Sequence, residues 1–218
     1  MIILSEAIKK YIIGTYVITF VYRQQKEGGV LRYISIRPLS PYDAEFLKTM
    51  IEIPLDWSFE KSSGTVKFWP QTISEKISSD IEKTVITQLF RIVPEIRREL
   101  SEKTLIEKLV EKGWLVSSQN KIIIGRKSLE VDGYEGYFEV ILEKNEAWYV
   151  MHVKIKIIES DFNKYRRIRL RLQEILRGKI DDQYPFLTLE VELGEYIVPE
   201  ILKKLDEIYD KVRGVVLG

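Results

Sequence analysis

Three side chains on two successive segments have the types and spacing to grip a divalent metal and a water: Glu139 on one alternating run, His152 and Lys154 on the next. Glu107 or Glu111, on a preceding helical stretch, would complete the set. A carboxylate on one strand and an acidic-x-Lys on the next can hold a hard cation and orient an attacking water. The spacing fits and the ligands do not. His152 stands where a second hard oxygen is needed, and magnesium binds imidazole poorly. The simpler reading of Glu139 and Lys154 is a cross-strand pair on an exposed sheet face. On that reading no catalytic residue and no metal site is expected.

Other chemistries are excluded residue by residue. His152 is the sole histidine and the chain has no cysteine, so there is no thiolate nucleophile, no thiolate metal site and no disulfide framework. No nucleophile elbow accompanies His152, which reads as a surface residue beside two lysines. Gly125-Arg126-Lys127 lacks the upstream glycine of a phosphate loop, and Gly28-Gly29 reads as a hairpin turn. Asp181-Asp182, just before Tyr184-Pro185, reads as turn chemistry. No cofactor is expected.

One charged feature stands out. Lys164, Arg166, Arg167, Arg169 and Arg171 place five cations within eight residues, while Tyr165, Ile168, Leu172 and Ile175 form an apolar face. Lys164, Arg167 and Arg171 share one stripe able to track phosphates or an acidic partner. The competing reading is a solvated helix whose cations pair with Asp181-Asp182 and Glu190 to Glu195.

The elements that must position these groups follow from periodicity. Phe138, Val140 and Leu142, then Tyr149, Met151, Val153, Ile155 and Ile157, alternate with polar residues and read as a hairpin meeting at Asn145-Glu146. The basic helix opens near Ser160, a strand spans Phe186 to Leu193, and a last helix carries Ile197, Ile201, Leu202, Leu205, Ile208 and Val212 on one stripe. Upstream, the pattern predicts a short helix over 5–11, strands over 16–23 and 30–37, and a helix capped by Ser40 with Pro41 and Asp43 in its first turn. Trp57 to Glu60 and Thr65 to Trp69 form a second hairpin around Ser62-Ser63-Gly64. A long helix then runs from Thr72 until Pro94 kinks or stops it. Ser101 caps a helix ending at Gly113, followed by short strands over 114–116 and 121–124.

The 218 residues, 45% hydrophobic and 31% charged, suffice for one large domain or two small ones. With 34 basic against 33 acidic side chains the net charge is +1, so no global field draws the chain to nucleic acid or membrane; any such contact is local. MIILSEAIKKYIIG is apolar yet carries Glu6, Lys9 and Lys10 and no cleavage site follows it, so a cytoplasmic protein is expected. Abundant Ile, Lys and Glu with no Cys suggest a high-temperature source.

Two halves share one plan. GTYVITFVYRQQKEGGVLRYISIRPLSPYDAEFLKTM and EGYFEVILEKNEAWYVMHVKIKIIESDFNKYRRIRLR both read strand, turn, strand, Ser-capped helix, and each is followed by more strand and a closing helix. The expectation is an α+β protein of two similar halves, 1–98 and 99–218, each a small mainly antiparallel sheet packed against helices, with an internal duplication as one reading and two unrelated domains as the other.

This order of elements resembles the YbjN-like and type III secretion chaperone-like fold, over about Ser5 to Val93 with DWSFEKSSGTVKFWP as its late hairpin. It extends over about Ser101 to Arg213, where FLTLEVEL is the one late strand visible. The resemblance implies binding through a sheet face or a dimer interface. The order helix, three strands, helix, strand also resembles the PD-(D/E)XK core of archaeal Holliday-junction resolvases, with Glu139, His152, Lys154 and Glu107 at the site positions; the His departure implies an inactive copy. Strand order separates the two: a parallel pair joined across the 160–177 helix belongs to the nuclease core, an all-antiparallel sheet to the chaperone-like one. The expected function is a non-enzymatic binding or scaffold module, self-associating or held in a larger complex. Trp57, Trp69, Trp148 and Tyr149 are half-exposed interface candidates, and the alternative is nucleic-acid association through the basic helix.

Overall fold

The segment expected to open the chain as a helix is instead a strand, β1 (Glu6–Ile13). A computed structural model describes residues 6–25, 28–38, 57–62, 65–70, 78–129 and 135–217. In β1 the buried residues are Tyr11 and Ile13, two apart, with Ile12 exposed between them. That period of two, carried by β-branched residues, prevails over the helical spacing because β2 (Tyr16–Gln25) supplies a partner two residues away. Gly14, at φ +55°, makes the reversal.

The chain divides into two compact units, Met1–Glu99 and Leu100–Gly218. In the first, β1, β2, β3 (Gly28–Pro38), β4 (Trp57–Ser62) and β5 (Thr65–Pro70) form a sheet of order β1-β2-β3-β5-β4, antiparallel at every pairing. Ile18, Phe20, Ile34 and Ile36 are buried, as are Ile86 and Leu89 of α1 (Ser78–Ile92) and Ile96 of α2 (Pro94–Glu99). Pro94 ends one helix and opens the next, since a first-turn position needs no amide donor. The Ser40-capped helix, the start of the long helix at Thr72 and the turns at Lys26-Glu27 and Ser63-Gly64 lie outside the described residues, as do the side chains of Trp57 and Trp69.

The second unit begins with α3 (Glu102–Glu111), whose cap Ser101 accepts a hydrogen bond from the Thr104 amide at 3.2 Å. Gly113, at φ +80°, ends it. There follow β6 (Leu115–Gln119), β7 (Ile122–Ser128), β8 (Glu135–Asn145), β9 (Trp148–Ile158), α4 (Phe162–Ile175), β10 (Lys179–Gln183), β11 (Phe186–Tyr196) and α5 (Val198–Leu217). The sheet order is β10-β11-β9-β8-β7-β6, again antiparallel throughout. The hairpin between β8 and β9 turns on Glu146-Ala147, one residue later than expected, with Glu146 at φ +56°.

One face of this sheet is the core. Phe138, Val140 and Leu142 lie opposite Ile155, Val153 and Met151, and Leu187, Leu189 and Val191 continue the layer on β11. Ile201, Leu205, Ile208 and Val212 of α5 and Tyr165, Ile168 and Leu172 of α4 are buried with them. Each such side chain contributes about 1.5–3 kcal/mol on removal from water. Trp148 and Tyr149, expected at half-exposed positions, are both buried: the β9 alternation puts Tyr149 on the core face with Met151 and Val153, and Trp148, at the start of the strand beside the buried Ala147 of the preceding turn, is covered as well. Asp181-Asp182, expected in a turn, lie in β10, where pairing with Thr188 and Leu187 overrides their turn preference.

The two sheets have one topology in common. A three-strand meander (β1-β2-β3 or β7-β8-β9) is extended by a hairpin whose second strand (β5 or β11) lies against the meander's last strand. The second sheet adds β6 outside the meander. The late hairpin that showed one strand in the sequence of the second half therefore has both.

Candidate functional site

On the face of the second sheet opposite its core, five charged residues stand in one row across five strands. They are Arg126 on β7, Glu139 on β8, Lys154 on β9, Glu190 on β11 and Lys179 on β10, each directly opposite the next. Signs alternate along the row. Arg126 donates to Glu139 at 2.5 Å, and Lys154 donates to Glu190 at 2.7 Å. Glu139 is only 7% exposed, and the Arg126 guanidinium lies 5.0 Å from the centre of the Tyr137 ring. The hydrogen bond to Glu139 strengthens the hold of Arg126 on its proton; that to Lys154 lowers the Glu190 carboxyl below the usual range and raises Lys154.

This row decides what Glu139 and Lys154 do. They are neighbours across β8 and β9, as the register of the hairpin requires, but each is bonded to another partner. His152 lies one row along, between Ile141 and Glu192, and Glu107 of α3 pairs with Lys103 at 3.8 Å. Among the described residues no three His, Asp or Glu side chains group closely enough to hold a metal ion.

The basic residues fall on α4, capped not by Ser160 but by Asp161, whose carboxylate accepts from the Asn163 amide at 2.8 Å and the Lys164 amide at 3.1 Å. Those amides, the Lys164 one foremost, lower the Asp161 carboxyl. Tyr165, Ile168 and Leu172 are buried as expected; Ile175 is 40% exposed, because the helix ends there and Leu176 takes the inward position. Arg169 forms an ion pair with Asp182, and the Tyr165 hydroxyl donates to Asp182 at 3.3 Å. Lys164, Arg166, Arg167 and Arg171 are exposed. Glu190, an expected partner of this helix, is bonded to Lys154 on the sheet instead.

Three exposed rings near the start of α4 escaped the sequence reading. Phe162 is 59% exposed and packs edge-on against Tyr184, with ring centres 5.5 Å apart; Tyr184 in turn meets Tyr165 at 5.3 Å. Phe186 is half exposed, with the Lys156 ammonium 5.9 Å from its centre. Phe162 stands two residues before the basic run, a signal that could have been weighed with it.

The outer strands of this sheet differ in kind. β10, KIDDQ, is charged, whereas β6, LVSSQ, has no charge and no proline, and its Leu115 is 79% exposed. In the first unit, Glu82 of α1 is buried and accepts bonds from the Tyr11 hydroxyl, the Tyr22 hydroxyl at 2.9 Å and Lys9 at 2.5 Å. Burial, then Glu82, pushes the Tyr22 phenol well above its usual range. Every oxygen of this cluster is engaged, so it joins helix to sheet.

No protein-family profile and no curated protein matches the chain. Among solved structures, crystal form I of TP0453 aligns over 88% of this chain and 80% of its own at 10% identity with a TM-score of 0.27. Crystal form III of TP0453 gives 9% identity over the same shares and a TM-score of 0.26. Similarity at this level carries no argument. Among the described residues no helix is long and apolar enough to cross a membrane.

Proposed function

We propose that this chain is a non-enzymatic binding and scaffold module that assembles with a second copy of itself by strand addition at β6. The observation that carries this reading is the chemistry of the edge. Sheet edges carry unbonded amides and carbonyls, and proteins that keep an edge free guard it with charge, proline or a bulge. β10 has such guards in Lys179, Asp181 and Asp182; β6 has none. Antiparallel pairing of β6 with its own copy about a two-fold axis at Ser117 would set Leu115 against Gln119 and Val116 against Ser118, with no like charges in opposition. The same operation on β10 would place Asp181 against itself.

The commitment of Glu139 to Arg126, and the antiparallel run of β9 and β11, favour binding over a nuclease-like core. The shared topology of the two sheets supports an internal duplication in which β6 is the addition to the second copy. Light scattering across a concentration series tests the assembly. A dimeric mass is expected, reduced to the monomer in a Leu115→Lys/Ser117→Lys variant; a monomeric mass in the unaltered chain overturns the reading.

A further inference from the structure

The rings and cations at the start of α4 are arranged in a way that internal packing does not require. Phe162, Arg166 and Leu170 succeed one another at intervals of four, so they form one stripe along the helix. All three are exposed, whereas Tyr165, Ile168 and Leu172 are buried on the opposite side. Tyr184 flanks Phe162 at 5.5 Å, and its hydroxyl donates to the Ser160 carbonyl, which holds the ring at the surface. Arg167 and Arg171 run beside the stripe. Glu174 is the lone carboxylate within the helix. Nearby, Asp161 is engaged with helix amides and Asp182 with Arg169, while Asp181 alternates with Asp182 along β10 and so belongs to the other face of the sheet.

A chain of net charge +1 thus concentrates positive potential on one helix face and sets flat apolar rings at its end. Phosphate alone would call for the cations, and a protein interface alone would call for the rings. A single-stranded nucleic acid calls for both, since exposed bases stack on aromatic faces while the backbone follows the cations. Duplex bases are already stacked and offer the rings nothing. We propose that Phe162 and Tyr184 stack bases of a single-stranded RNA or DNA whose phosphates follow Arg166, Arg167 and Arg171. From Phe162 to Arg171 the helix rises ~14 Å. The site lies on α4 and the turn between β10 and β11, apart from the β6 edge in this sheet, and does not depend on assembly there.

Fluorescence anisotropy of labelled oligouridine and oligothymidine, of a duplex of equal length and of phosphatidylserine vesicles tests the assignment with the full chain. Binding to the single strands is expected at low salt, with the duplex about tenfold weaker. Phe162→Ala should weaken single-strand binding about tenfold and Phe162→Trp should retain it. Arg166→Ala/Arg167→Ala should reduce the slope of log affinity against log salt by about 1.4. All are surface positions, and circular dichroism confirms that each variant is folded. No single-strand binding, equal affinity for the duplex, indifference to Phe162→Ala, or binding to vesicles in place of oligonucleotides would each overturn the assignment. None of these outcomes alters the mass measured by light scattering, so the two proposals fail separately.

Discussion

Arg126 Nε lies 2.5 Å from Glu139 Oε2, and this contact joins an exposed cation to a carboxylate that is itself almost out of water. It gives Glu139 a cationic partner on the strand outside the hairpin. Lys154, the other half of the pattern, is turned to Glu190. We expect a structural role for the pair, so its loss should be felt as stability. Glu139→Ala is expected to lower the thermal midpoint, with Glu139→Gln intermediate because the amide oxygen still accepts from Arg126. Incubation with branched and linear DNA plus magnesium or manganese should give no cleavage in either the unaltered chain or the variant. Cleavage lost on Glu139→Ala would refute this role.

Glu82 makes a sharper stability case, because two tyrosine hydroxyls on two strands converge on it. Glu82→Ala leaves both without their acceptor and is expected to cost on the order of 1–3 kcal/mol. Tyr22→Phe removes one bond and one donor together and should cost about 1 kcal/mol. Denaturant unfolding of the two variants reads the difference, and an equal loss in both would mean that the carboxylate is not the hub.

The ion pairs set a window of pH. Glu190 is held below its ordinary range by Lys154, so its contribution is present above the unfolded carboxylate pKa and lost as pH falls through the lowered folded value. Lys154 is raised by the same bond, so its share is present below the unfolded amine pKa and lost as pH rises through the raised folded value. Both groups are largely solvated, and screening keeps the effect small. Lys154→Met should flatten the acid limb of the stability profile, lowering stability slightly above those two carboxylate values and leaving it unchanged below them.

Buried phenols add an alkaline limb. Tyr22, raised by burial and then by Glu82, and Tyr149, raised by burial and then by Glu102, bind their protons more tightly folded than unfolded. Their contribution is complete below the unfolded phenol pKa and falls away above it. Ultraviolet titration should show these two phenols ionising only with unfolding.

How much of this was legible in the sequence depends on which interactions decide each element. The β8–β9 hairpin was readable because Phe138, Val140, Met151, Val153 and Ile155 alternate strictly and lie on one face. α3 was readable from Ser101 and Gly113, whose roles are local. β1 and β10 were not, because in each the deciding term is a strand elsewhere in the chain: β2 against Tyr11 and Ile13, and β11 against Asp181 and Asp182. The candidate site divides in the same way. That Glu139 and Lys154 are neighbours follows from hairpin register alone. That Arg126 takes one and Glu190 the other follows only from strand order, which places β7 and β11 on either side of the hairpin. The exposure of Phe162 is likewise a tertiary fact, hinted at in the sequence only by the basic run that follows it.

Amide hydrogen exchange in Leu115–Gln119, followed as the protein is diluted, tests the proposed strand addition at its own atoms. In the assembled form the outward amides of β6 are expected to be protected, and protection should fall on dilution toward the monomer while that of β8 and β9 stays constant. Outward amides of β6 that exchange freely at every concentration would contradict the account.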